Sequence, residues 1–222
     1  NKMTDILICS MPALFLDRAP GGPALIKAAA ETAGYSATAA DFNIAWFQNQ
    51  CNSDVDIFNE LGCVFRNSEV ATEKSIQAAE QWIEQSLEYI ERVNPRLLGL
   101  SVFSMQQHRA TWRLTQAVRK RFPDMKIVLG GLGLNVSCSS LSAEPNFKKI
   151  DMVKLFHQFA TEKNLCDYKV LGLSLDELIS ILEKEVGPAT NPQLFDADTT
   201  VFKAPIPNYD DYDLDAYLWN QD

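Results

Sequence analysis

Small residues at the ends of two apolar runs are the part of this chain best suited to chemistry. Gly130, Gly131 and Gly133, with Leu132 among them, close the run Lys126-Ile127-Val128-Leu129. Ser101, Val102, Phe103 and Ser104 close the run Leu97-Leu98-Gly99-Leu100. Glycine permits positive φ and close backbone approach, and a serine hydroxyl both donates and accepts hydrogen bonds. Such loops could let a large cofactor slide against the backbone. Met11, Pro12 and Phe103 could supply apolar walls to a planar ligand, and Gly172 ends a further short apolar run. Each has a structural alternative: the glycines as a tight strand-to-helix turn, Ser104 as a helix N-cap, the apolar side chains as core. A bulky residue at position 131 is expected to block a ligand while sparing the fold.

Other chemistries find little support. No Ser-His-Asp set, paired catalytic carboxylates or G-x-x-x-x-G-K phosphate loop is present. The two histidines are His108, one turn into the helix after Ser101, and His157. A lone helical histidine is more often structural than a ligand. Five scattered cysteines contain no C-x-x-C pair, which argues against a zinc site or disulfide framework and favours the cytosol. A net charge of −9 without a basic stripe excludes ordinary nucleic-acid binding, since phosphate neutralisation supplies most of that affinity. No apolar run approaches the length of a membrane span. The chain starts at Asn1 without a Met, as expected of a fragment.

These loops need elements to position them. Asp5 to Cys9 predicts a buried strand, and Pro23 opens a helix that Gly34 closes. Tyr35 to Ala40 predicts a second strand, and 44–67 a set of short packed helices. A long helix is expected from an N-cap at Ser68 to Val93, with Ile76, Ala79, Ile83, Leu87, Ile90 and Val93 on its inner face. Strands at 97–102, 126–129 and 166–171 follow, with helices from Ser104 to about Phe122, from Met152 to Lys163, and from a Ser174 cap to Glu185. Ser104 to Gln107 has the pattern of a capping box. Strict alternation of strand and helix predicts a doubly wound, Rossmann-like (flavodoxin-like) five-stranded parallel sheet with helices on both faces. In such sheets ligands bind at the carboxyl edge. The domain is expected over residues 1–187. Residues 188–222 form an acidic, aromatic connector, which should wrap the domain or mediate self-association through Tyr209, Tyr212, Tyr217, Leu218 and Trp219; its deletion should leave the domain folded.

In this order the residues resemble a known family. Asp41-Phe42-Asn43, Gly99-Leu100-Ser101, Phe122-Pro123-Asp124 through Gly130-Gly131, Asp167-Tyr168 through Gly172, and Pro207-Asn208-Tyr209 through Leu214 are similar to successive elements of the N-terminal cobalamin-binding domain of cobalamin-dependent radical SAM enzymes. The resemblance implies bound cobalamin contacted by Met11, Pro12, the 101–104 and 130–133 loops and Gly172. It also implies a radical SAM barrel as partner in the parent protein. The cluster-binding C-x-x-x-C-x-x-C is absent, so the chain holds no iron–sulfur cluster and is not catalytic alone. Asp17-Arg18-Ala19-Pro20-Gly21-Gly22 matches a D-x-H-x-x-G loop with Ala19 in place of the imidazole, so no histidine from this loop would reach cobalt. The family's G-E-G-E is Gly172-Leu173-Ser174-Leu175 here. Alternatives of other classes are a cofactor-free protein-interaction domain of the same fold, or a nucleotide or flavin binder at the same sheet edge.

Overall fold

Five short apolar runs become the strands of one sheet: β1 (Thr4–Ser10), β2 (Ala37–Asp41), β3 (Pro95–Ser101), β4 (Lys126–Gly130) and β5 (Tyr168–Val170). In the computed structural model, which describes residues 3–66, 70–138, 154–191 and 205–218, their order is β2-β1-β3-β4-β5. All neighbours are parallel. This is the doubly wound, Rossmann-like fold that the alternation predicts. The chain reverses its direction of travel across the sheet between β1 and β3, so their carboxyl ends diverge into loops that leave a crevice.

Period-two alternation divides each strand between two cores. Leu7, Cys9, Leu98, Leu100, Ile127 and Leu129 face a layer built by α2 (Phe42–Asn49), α3 (Val55–Leu61), α4 (Cys63–Arg66), α5 (Glu73–Val93), α6 (His108–Arg121) and α7 (Phe156–Glu162). Ile6, Ile8, Leu97, Val128 and Val170 face α1 (Gly21–Thr32) and α8 (Leu175–Glu185). The short helices between 44 and 67 are present and pack through Trp46, Phe47 and Phe65, as their apolar content predicts.

Local expectations are corrected at several points. The N-cap of α5 is Thr72, whose hydroxyl accepts from Ser75 N at 3.1 Å; Ser68 lies outside the described residues, as do Met152 and Trp219. The buried face of α5 is Ser75, Ala78, Ala79, Trp82, Ser86, Leu87 and Ile90, while Ile76 is exposed. Trp82 takes the inner position because its indole N–H donates to Phe42 O at 3.2 Å, a bond aligned with the aromatic cluster. The strand predicted over 166–171 shrinks to three residues, and Ser174 makes no side-chain cap.

The segment 205–218 lies back across the outer edge of β2. Asn208 N donates to Ala24 O at 3.0 Å, and the Asp211 carboxylate takes Lys27 Nζ at 2.5 Å and Ala39 N at 2.8 Å. Tyr217 is fully buried. Among the described residues no helix is long and apolar enough to cross a membrane.

Candidate functional site

The sheet register sets one row of residues at the carboxyl ends: Asp41, Ser10, Ser101, Gly130 and Val170 pair in sequence from β2 to β5. Two of the cavities that open from this row flank Ser101. The larger is a cleft of about 440 Å³ at the reversal point, bounded by the β1–α1 loop, the start of α1 and the end of β3. Ser10, Asp41, Asn43, Ser101 and Gln107 give it a polar floor and side, and Leu14, Phe15 and Phe103 an apolar mouth. Phe15 and Phe103 meet edge to face at 6.0 Å and are both exposed. Arg18 and Ala19 also line it, with Arg18 paired to Asp17 at 2.6 Å.

The second cavity is a narrow slot of about 60 Å³ between the sheet and the pair α1 and α8. Its sheet wall is Ile6, Ile8, Gly99, Val128, Gly130 and Val170, and Ile26, Leu175 and Leu178 form the helical wall. Gly99 and Gly130 are why it exists. A Cβ at either would sit no closer than 3.6 Å to any neighbour, so their missing side chains leave space rather than relieve a clash. Ser101 lines both cavities. A wide, polar-sided cleft and a narrow apolar slot thus lie side by side at the carboxyl edge, with Ser101 common to both.

Of the residues singled out in the sequence, Ser101 lines both parts, Phe103 the cleft, and Gly130, Gly131 and Gly172 the slot. The others are elsewhere. Val102 follows Ser101 and so points to the opposite face, fully buried in the larger core. Met11 is buried there too, its carbonyl accepting from Gln107 Nε2 at 2.5 Å, and Pro12 is buried beside it. Neither lines the cleft or the slot. Leu132 is exposed, and Gly133 is buried against Val102, its N–H donating to Val102 O at 2.8 Å.

Gly131 is not a neutral spacer. Its φ is +105°, and a Cβ there would lie 2.3 Å from Val102 O. This glycine serves the close approach of two loops, so a bulky side chain disturbs the fold, contrary to the sequence expectation. The predicted capping box of Ser104 and Gln107 is present at the start of this turn, and Gln107 Oε1 accepts from both Phe103 N at 2.6 Å and Ser104 N at 3.1 Å.

Neither histidine lines the cleft. His108 is buried with Nε2 2.7 Å from Gly133 O and its ring stacked on Phe156 at 4.0 Å. Desolvation lowers its pKa to about 4, so it is neutral at physiological pH. His157 Nδ1 lies 3.2 Å from Leu134 O. Among the described residues no three His, Cys, Asp or Glu side chains converge as a metal site.

Sequence reasoning missed Gln107 and the Ile6/Ile8/Val128/Val170 wall, gave Gly99 only as part of a motif, and weighed Asn43 as a cofactor contact while favouring a strand-end role for it. A signal for part of this was present. Gly99 interrupts an apolar strand two residues before Ser101, hence on the same face, and an interior strand glycine marks close approach by something else. No protein family, curated protein or solved structure matches this chain.

Proposed function

We propose that this chain is a cobalamin-binding module of a radical SAM-type enzyme, holding the corrin while a separate barrel carries the Fe–S cluster and SAM. The observation that carries the reading is the pair of adjacent cavities that share Ser101 at the carboxyl edge. A cofactor with a broad macrocycle and a flat, apolar tail needs a wide opening at the sheet edge and a narrow apolar slot leading from it. The cleft offers such an opening, and the slot that shares Ser101 with it, at about 60 Å³, would widen to take the tail as α8 gives way from the sheet. The glycine floor is a cradle that two side chains would fill.

Bound cobalamin would supply the organometallic chemistry; the chain's own residues bind and orient. The phenyl rings of Phe15 and Phe103 would flank the macrocycle at the mouth. Ser10, Ser101 and Asn43 offer polar atoms to peripheral amides on the cleft side. Gly99, Gly130 and Val170 would lie against the tail. With Ala19 in the cleft and both histidines against backbone carbonyls, the cobalt would take no imidazole from this chain.

The test is retention of hydroxocobalamin by the purified chain after desalting, with flavin mononucleotide as a parallel probe. The expected result is a corrin spectrum at near-stoichiometric yield without protein-imidazole coordination. Retention of flavin alone assigns the edge to a nucleotide, and retention of neither overturns the reading. A second reading, docking of another polypeptide without cofactor, is favoured by one observation: the loops after β1, β3, β4 and β5 expose Phe15, Phe103, Leu132, Leu171 and Leu173.

A further inference from the structure

The β1–α1 loop walls the cleft but belongs to no helix or strand, so hydrogen bonds from elsewhere must fix it. Gln107 holds Met11. Asn43 clamps the next stretch, accepting from Leu14 N at 2.9 Å and donating to Phe15 O at 3.0 Å. The anchor after that comes from about 200 residues further along the chain: Leu218 N donates to Leu16 O at 2.8 Å. Phe15 and Arg18, on either side of that anchor, line the cleft.

A second link joins the same two regions. Asp41 lines the cleft and is nearly buried. One of its oxygens accepts from Ser10 Oγ at 2.6 Å and from Asn43 N at 2.9 Å; the other accepts from Tyr217 Oη at 2.7 Å. One carboxylate therefore orients a cleft hydroxyl, starts the turn that carries Asn43, and seats the buried ring of Tyr217.

We propose that the segment 205–218 is a working part of the cleft: Tyr217 and Leu218 are positioning residues for the β1–α1 loop, so docking of this segment and ligand binding are coupled. The ligand in this proposal rests on the cobalamin reading; the positioning of the loop does not. Coupling is reciprocal, so whatever docking adds to ligand affinity, ligand must add to docking.

The experiment uses the full chain and two variants. Tyr217→Phe removes the hydroxyl donor and keeps the ring. Leu218→Pro removes the amide donor, and Tyr217, with ψ of 147°, already has the extended conformation that precedes proline. Losing a hydrogen bond to the buried Asp41 carboxylate, or leaving the carbonyl of the buried Leu16 without its amide donor, changes an equilibrium roughly tenfold or more. In hydrogen–deuterium exchange, amides 14–18 are expected to exchange about tenfold faster in both variants. Hydroxocobalamin should bind Leu218→Pro about tenfold more weakly, and in the wild type it should slow exchange at Tyr217 and Leu218. If the wild type binds and both variants match it in affinity and loop exchange, the inference falls and the cofactor reading stands. If the wild type does not bind, the cofactor reading falls; loop exchange alone then decides, faster exchange upholding the positioning role and unchanged exchange overturning it.

Discussion

Replacing Gly131 by alanine is expected to weaken the fold even though only one methyl group is added. Two costs sum at this position. With φ at +105° and ψ at 164°, the backbone lies in a region that is essentially glycine-only, which costs a non-glycine residue about 1–3 kcal/mol. The added Cβ would also stand 2.3 Å from Val102 O and 2.9 Å from Val102 C. Those atoms cannot retreat freely, because Val102 N donates to Gly130 O and Val102 O accepts from Gly133 N, each at 2.8 Å. Relieving the overlap breaks at least one of these bonds, at about 1 kcal/mol. The total is about 3 kcal/mol, a large part of the 5–15 kcal/mol typical of a domain (about). In urea denaturation this should lower the midpoint by about 1 M or more. Gly130→Ala is the control, since its Cβ would find nothing nearer than Val170 O at 3.7 Å. If the two variants unfold within about 0.2 M of each other, the close approach of the loops at Val102 is not what holds glycine at 131.

Two further outcomes follow from the geometry. Gly130→Val should fill the slot without disturbing the sheet, so hydroxocobalamin retention should be lost while the urea midpoint stays near that of the wild type; full retention would move the ligand's tail out of the slot. For His108, whose folded pKa is depressed from 6.5 to about 4, the unfolded chain takes up a proton that the buried ring refuses. Its contribution is therefore complete above pH 6.5 and lost as pH falls from 6.5 towards 4, which amounts to about 2 kcal/mol between pH 7 and 5. Denaturation curves at those two pH values should show this loss in the wild type and not in His108→Gln, and superimposable pH dependences would refute the assignment.

Strand and helix alternation was legible in the sequence because it depends on neighbours close along the chain: the apolar runs at 5–9, 97–102 and 126–129, and the proline and glycine that frame α1. A β-α-β unit with parallel strands then brings Ser101 and Gly130 side by side, as observed. Strand parity also separates Ser101 from Val102, although the two entered as one loop. The roles of the glycines were not legible. Gly130 and Gly131 are adjacent and identical in type, yet one leaves a slot open and the other permits a backbone crossing, a difference set by φ and by Val102 from another strand's loop. The inner face of α5 keeps Ala79, Leu87 and Ile90 and also takes in Trp82, whose partner, Phe42 O, lies 40 residues away. The seat of Tyr217 on Asp41 spans 176 residues, and no periodicity encodes such a contact. Local pattern determines which elements form and which face of each is apolar; what a buried polar group meets is decided only when distant segments compete for the same space, as Asp41 shows in joining the cleft to the far end of the chain.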